Sequence, residues 1–382
     1  MISLTKTILP GQTIGIIGGG QLGKMMTLAA KAMGFRVVVL DPTPDCPCGQ
    51  VADEQITAPY GDLKAVEKLA ERCDVITYEF ENIDAGALQW LTENAYVPQG
   101  TEILRITQNR IYEKDAVKKA GAPVVPYAVV KNETDLHKGL KNIGMPAVLK
   151  TATGGYDGKG QVVIRSEDDV LTAQTLLKQG HCVLEKWISF AKEISVIIAR
   201  NKRGETAVFP VGENIHKNNI LHQTIVPARI TEETKETAIR EAEKIAGYLE
   251  LTGTLAVEMF VKEDGGIFIN ELAPRPHNSG HYSIEACETS QFEQHIRAVC
   301  NWPLGRVDLL KPAVMVNILG EHLQPLIDHL DQFKNWKIHL YGKKEVKKGR
   351  KMGHITRICS DVSEALQEVE QYNIWETPGK PD

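Results

Sequence analysis

Along the first quarter of the chain, short apolar runs alternate with stretches whose apolar residues recur every three or four positions. Thr13–Ile17, Arg36–Leu40 and Val75–Tyr78 read as strands, and Gln21–Met33 and Leu63–Arg72 as helices. Strand, helix, strand in series predicts a parallel sheet with helices on its faces. Gln108–Ala120 reads as a polar helix stopped by Gly121-Ala122-Pro123, and a domain boundary is placed just before it. Beyond this point the pattern changes. Strands are predicted at Ala147–Lys150, Gln161–Ile164, Cys182–Lys186, Glu193–Ala199 and Thr206–Pro210, interrupted by helices at Glu167–Gln179 and Glu232–Leu249. This mixture predicts an α+β unit with antiparallel sheet. A short tail unit follows from about Leu304 and carries a basic run, Lys343–Lys351. The expected division is 1–108, 109–303 and 304–382.

Composition narrows the classes. With 382 residues, 42% of them hydrophobic, the chain can bury sizeable cores, and a net charge of -5 argues against a protein built to hold nucleic acid. Apolar runs such as Val37–Leu40 fall far short of the roughly 20 residues that span a membrane. The N-terminus lacks the pattern of a signal peptide. Seven scattered cysteines point to a reducing, cytoplasmic setting. Cys46-Pro47-Cys48 has no second pair or His cluster nearby, so a loop is favoured over a zinc site.

Four motifs carry chemistry. The first is Gly18-Gly19-Gly20-Gln21-Leu22-Gly23 between a strand and a helix, with Asp41 ending the next strand. This spacing suits NAD(P), another phosphate-bearing ligand, or tight packing alone. The second is a loop with glycines at 154, 155, 158 and 160, with Lys150 before it and Lys159 within it. It joins two strands and lacks a G-K-[ST] ending, so it is no Walker A loop. A lid over a nucleotide triphosphate suits it better.

The third motif is a hairpin. Thr254–Val261 and Ile267–Glu271 flank Asp264-Gly265, and a two-residue turn there sets Glu258 opposite Glu271. Like charges placed so destabilise a sheet, so a cation is expected between them. Carboxylates without His or Cys point to Mg²⁺. Asn270 adds an oxygen, though alternation turns it to the other face. The fourth motif, Ala273-Pro274-Arg275-Pro276-His277-Asn278-Ser279-Gly280-His281, follows at once and would hold Arg275 close to phosphates.

Together these motifs resemble an ATP-grasp ligase. Asn270–His281, Gly155–Gln161 and Gly18–Gly23 closely resemble the N5-carboxyaminoimidazole ribonucleotide synthetase (PurK) family, as do Thr77–Asn82 and Gly349–Ile355. The resemblance implies a mixed α/β and α+β protein. It would have a biotin-carboxylase-like N-terminal domain, an ATP-grasp domain and a small barrel-like C-terminal domain. It also implies ATP- and bicarbonate-dependent carboxylation of 5-aminoimidazole ribonucleotide in purine biosynthesis, with Mg²⁺ (or Mn²⁺) as cofactor, in a cytoplasmic homodimer.

By the same resemblance, Arg110 and Lys150 contact ATP phosphates, and Gly155, Tyr156, Asp157, Gly158, Lys159, Gly160 and Gln161 close over them. Glu185, Lys186, Trp187 and Ile188 line the adenine, Glu193 binds the ribose, and His216, Asn270 and Glu271 complete the ATP pocket. Glu258 and Glu271 hold the metal. Gln21, Leu22, Asn278, Lys344, Arg350 and Lys351 face the ribonucleotide, with Glu79, Tyr156, Asp157, Arg275 and His277 nearest the chemistry.

Overall fold

In a computed structural model, residues 6–155 and 159–375 are described. The N-terminal part is a four-stranded parallel sheet in the order Glu54–Ile56, Arg36–Leu40, Thr13–Ile17, Val75–Tyr78. Its inner strands are buried on both faces, as parallel strands under helices must be, and so read as continuous apolar runs. Helix Gln21–Ala32 covers one face. Its Met25 and Met26 pack with Phe292, Ile296 and Val299 of helix Gln291–Val299, which ties this sheet to the middle of the chain.

The middle of the chain supplies two antiparallel sheets. The smaller has the order Tyr127–Val130, Cys182–Lys186, Ala147–Thr151, Gln161–Ile164. The glycine-rich segment joins its last two strands, in register Lys150 to Gln161. The larger sheet has nine strands. At its centre Lys192–Arg200 pairs with Gly253–Val261 on one side and Gly212–Lys217 on the other. Its Ile194, Val196 and Ile198 face helix Glu232–Tyr248, which presents Ala238, Ala242, Ile245 and Ala246 at helical spacing. Thr231 caps that helix, its hydroxyl accepting from Thr234 N at 3.2 Å.

The same large sheet runs through the expected boundary near residue 303. Ile220–Val226 pairs antiparallel with Ala313–Leu319, which pairs with Lys351–Ile358, which pairs with the edge strand Trp336–Leu340. The barrel-like C-terminal unit implied by the resemblance is here the end of this sheet. Helices Gly320–Asp328 and Val362–Gln371 cover it, packing Leu326, Ala365 and Val369 with Trp336 of the edge strand. The pairing forms because Val314, Val316 and Ile318 alternate inward against Ile225 and Ile355. Among the described residues, no helix is long and apolar enough to cross a membrane.

Candidate functional site

The glycine turn after Thr13–Ile17 is already filled from within. The Glu79 carboxylate accepts from Gly20 N and, at 2.6 Å, from Gly23 N. A side chain at Gly20 would sit 2.6 Å from Glu79 Oε1, which explains the glycine. Glu79 thus takes the place at the helix N-terminus that an anionic ligand was expected to occupy. Burial pushes its carboxyl up, against the pull of the Gly23 and Gly20 N–H groups. Asp41 is likewise spent. It accepts from Gly19 N at 2.7 Å, Tyr60 Oη at 2.6 Å and Thr43 N at 2.8 Å. A carboxylate so engaged is not available to a ribose, and the NAD reading loses its acid. Cys46 and Cys48 are free thiols buried beside this turn, consistent with a loop.

The hairpin differs from expectation twice, and the differences cancel. Lys262 N donates to Gly266 O, and Gly265 has φ +80°, so the loop is Glu263–Gly265 and Val261 faces Ile267. This slips the register by one residue. A bulge at Asn270 slips it back, and Glu258 does face Glu271. The bulge also turns Asn270 into the same cavity as both acids, contrary to simple alternation.

That cavity, of about 580 Å³, gathers residues from the whole chain. Gln21, Leu22 and Glu79 come from the N-terminal sheet, and Arg110 from the helix Arg110–Lys119. Lys150, Lys159 and Gln161 come from the glycine-loop hairpin. Glu193, His216, Glu258, Asn270 and Glu271 form one wall, Arg275, His277 and Asn278 the next, and Lys351 closes it from the C-terminal strands. Phe80, Asn219, Leu221 and Phe260 also line it and were not anticipated. Phe260 could have been, since it lies two residues from Glu258 on one strand and shares its face. Asn219 sits at φ +62° in an Asn-Asn turn, a legible turn signal. Leu221 has none.

Other expected residues lie off this wall. Glu185 is 3% exposed, its carboxylate held by Lys114 at 3.0 Å and Lys150 at 3.1 Å, so its side chain is drawn behind the pocket. Burial alone would raise its pKa, but Lys150 and Lys114 hold it below the ordinary carboxylate range. Lys186 and Trp187 are exposed, the Trp187 ring lying under Arg165, and Ile188 is half-buried. Lys344 reaches Asp45 at 3.2 Å, and Arg350 bonds the Glu345 carbonyl at 2.9 Å. Both belong to a surface loop. Gly155 lines a smaller recess with Arg110, Glu113 and Arg275. Gly160, at φ +71°, lies against Thr151. Tyr156, Asp157 and Gly158 lie outside the described residues.

Charge in the cavity is arranged in two parts. Around the hairpin it is acidic. Loss of water and the Glu271 charge push Glu258 up to about 7, and the same two causes push Glu113 up to about 8. Arg110 lies 3.4 Å from Glu271 and answers only part of this charge. Among the described residues no three His, Cys, Asp or Glu side chains converge as a metal cage. Two carboxylates and an amide oxygen nevertheless fit Mg²⁺, which keeps waters and substrate phosphates as its remaining ligands. Opposite, the wall presents donors. Arg275 pairs with Glu81 at 2.9 Å. His277 Nδ1 accepts from Ser279 N at 3.3 Å and meets Ser279 Oγ at 2.9 Å, and Ser195 Oγ donates to Ser279 Oγ at 2.8 Å. With Nδ1 an acceptor, the ring's proton sits on Nε2, 3.5 Å from Glu258 Oε1. Burial and the neighbouring Arg275 hold His277 well below the usual imidazole range. His216 is the reverse. Burial disfavours its charge, but Glu193 at 2.9 Å raises its pKa.

Comparisons with known proteins accord with this arrangement. A ribonucleotide synthetase preATP-grasp domain model matches residues 11–108, an ATP-grasp domain model 115–292, and a phosphoribosylaminoimidazole carboxylase C-terminal domain model 313–368. The chain is 56% identical to the N5-carboxyaminoimidazole ribonucleotide synthase of Bacillus subtilis (strain 168), covering 95% of this chain and 96% of that protein. A crystal structure of an ADP complex of such a synthetase superposes with a TM-score of 0.95 at 59% identity, covering 97% of this chain and 98% of the other. The Aspergillus clavatus synthase in complex with ADP and 5-aminoimidazole ribonucleotide gives 0.89 at 32% identity, covering 95% and 98%. The chain belongs to the N5-carboxyaminoimidazole ribonucleotide synthase family of ATP-grasp ligases.

Proposed function

We propose that this chain carboxylates 5-aminoimidazole ribonucleotide at its exocyclic amine, consuming ATP and bicarbonate and releasing ADP and phosphate, as a step of purine biosynthesis. The observation that carries this reading is the cavity that brings the acidic hairpin together with Arg275, His277 and Asn278 and with residues of the N-terminal and C-terminal parts.

Bicarbonate is a poor electrophile, so its oxygen first attacks the γ-phosphate and carboxyphosphate forms. Glu258, Asn270 and Glu271 would hold Mg²⁺, which when bound neutralises charge on the phosphates. Lys150 and Arg110 bind the phosphate oxygens, and little beyond such positioning and neutralisation is asked of the protein. Glu193 and His216 hold the ribose side of ATP, and the segment 185–188 offers its backbone to the adenine. The loop from Gly155 to Gln161 excludes water, since carboxyphosphate hydrolyses readily. Arg275 and the Nε2–H of His277 hold its carboxylate oxygens. The amine of the ribonucleotide, seated among Gln21, Leu22, Glu79 and Lys351, attacks the carboxyl carbon or CO₂ released from it.

Division at 108/109 and 303/304, a cytoplasmic setting and a homodimer belong to the same proposal. Light scattering tests the last. The chemistry is tested by ADP release with Mg²⁺, ATP, bicarbonate and each acceptor in turn. Release that requires both bicarbonate and 5-aminoimidazole ribonucleotide supports the proposal. Turnover with biotin, or with glycinamide ribonucleotide and formate, in its place would overturn it.

A further inference from the structure

We propose that Asn317, a residue of the C-terminal strands, is a positioning residue for this reaction: it sets which face of the Asn278 amide is offered to the cavity. The proposal rests on the reading of Asn278 as part of the acceptor site.

Asn278 lines the cavity. A side-chain amide has an acceptor end and a donor end of nearly equal size, and nothing in Asn278 alone chooses between them. Asn317 does. It is wholly buried in the strand Ala313–Leu319, between Val316 and Ile318. Its Nδ2 donates to the backbone carbonyl of Leu221 at 2.8 Å. A carbonyl only accepts, so the nitrogen end of Asn317 is fixed. The second N–H of that nitrogen goes to Asn278 Oδ1 at 2.6 Å, while Asn317 Oδ1 accepts from Asn278 Nδ2 at 2.9 Å. The two amides form a closed pair with one orientation.

Asn278 therefore turns its oxygen and one N–H toward Asn317. Its other N–H is directed away from the pair, toward the cavity it lines. With the guanidinium of Arg275 and the Nε2–H of His277, this wall offers donors in sequence, which suits the oxygens of a carboxylate and not its protonated or amine partners. An asparagine inside an apolar strand disfavours the strand and costs desolvation. The amide has two partners there, the Leu221 carbonyl and Asn278.

The test is a double-mutant cycle on the full chain, with steady-state kinetics in 5-aminoimidazole ribonucleotide, bicarbonate and ATP. Asn317→Ala should lower kcat/KM for the ribonucleotide or bicarbonate roughly tenfold, the size of one well-oriented hydrogen bond, and leave KM for ATP within about twofold. In an Asn278→Ala background the same change should have no further effect. Asn317→Leu, close in volume, carries the same expectations should the Ala variant fail to fold. Wild-type kinetics in the Asn317 variants would overturn the inference, as would an undiminished loss in the Asn278→Ala background, which marks a purely structural role. Wild-type kinetics in Asn278→Ala alone would overturn the reading of Asn278 itself, and the inference with it.

Discussion

Glu185→Gln should destabilise the smaller antiparallel sheet by about 3–5 kcal/mol, and should do so through Lys114 and not Lys150. Glu185 touches Lys114 at 3.0 Å and Lys150 at 3.1 Å. At an effective dielectric constant near 20, each such contact is worth roughly 5 kcal/mol of attraction. Stripping water from three ions costs several kcal/mol each, so the intact triad is close to neutral in its net effect. The substitution keeps shape and removes charge. The Lys150 side chain, 15% exposed at the cavity wall, can regain solvent, but that of Lys114, 2% exposed, cannot. Lys114→Met added to Glu185→Gln should therefore recover most of the loss.

A chain of this size need not unfold in two states, so the measurement is amide exchange by mass spectrometry over Ala147–Thr151 and Cys182–Lys186. A loss of about 4 kcal/mol speeds sub-global opening roughly 1,000-fold. Glu185 is held below the ordinary carboxylate range. Its contribution is present above the unfolded value and is lost as pH falls through the lowered folded value. The gap between wild type and Glu185→Gln should be constant near neutrality and close in acid. Acceleration of less than about tenfold at neutral pH, or a double variant that exchanges as fast as the single, would refute the buried-charge argument.

Three further outcomes are expected. Glu271→Gln should leave the fold intact and lower turnover at limiting Mg²⁺ by at least roughly 100-fold, since loss of outer partners alone costs about 10–100-fold; normal activity there would sink the metal assignment. Ser279→Ala removes the hydroxyl at the Nδ1 of His277, leaving only the longer bond from the residue 279 backbone N–H, and strands the Ser195 hydroxyl; it should lower both kcat and, by roughly 1–3 kcal/mol, stability. Calorimetry and kinetics check it, and a variant with wild-type kcat would show that the Ser279 hydroxyl does not orient the His277 ring. Lys351→Ala, at a residue that lines the cavity with Gln21 and Glu79, should raise KM for the ribonucleotide and leave that for ATP nearly unchanged; a loss of ATP affinity instead would move the acceptor elsewhere.

What was legible in the sequence follows the range of the interactions involved. The inner parallel strands are visible because burial on both faces demands unbroken apolar runs, and Val37–Leu40 is one. Glu54–Ile56 is not, because it pairs on one side only and carries Glu and Gln. Gly212–Lys217 and Ile220–Val226 escaped for a similar reason: Asn214, His216, His222 and Gln223 sit in sheet positions, where Asn214 accepts from Thr224, His216 meets Glu193 and the His222 ring lies against Trp375. The union of Ile220–Val226 with Ala313–Leu319 spans some 90 residues, and no local signal announces it.

The candidate site shows the same division. Residues that must be a given type for chemistry stand out locally: the paired acids, the glycine loop, the Arg275–His281 run. Residues that orient them do not. Asp41 and Glu79 are each a carboxylate at the end of a strand, and nothing local says that both are spent on the glycine turn. This changes what the turn can do. Two N–H groups of this helix N-terminus, those of Gly20 and Gly23, already hold the Glu79 carboxylate, and the glycines let it approach closely. The fixed carboxylate lines the cavity with Gln21 and Leu22, and in the proposed function this is part of the ribonucleotide's seat. In the proposed function the phosphate end of the ribonucleotide is met by cations, and Lys351 of the C-terminal strands lines the same cavity. The motif that most resembled a dinucleotide site is filled by Asp41 and Glu79, and long-range partners, not the motif, decide what it can hold.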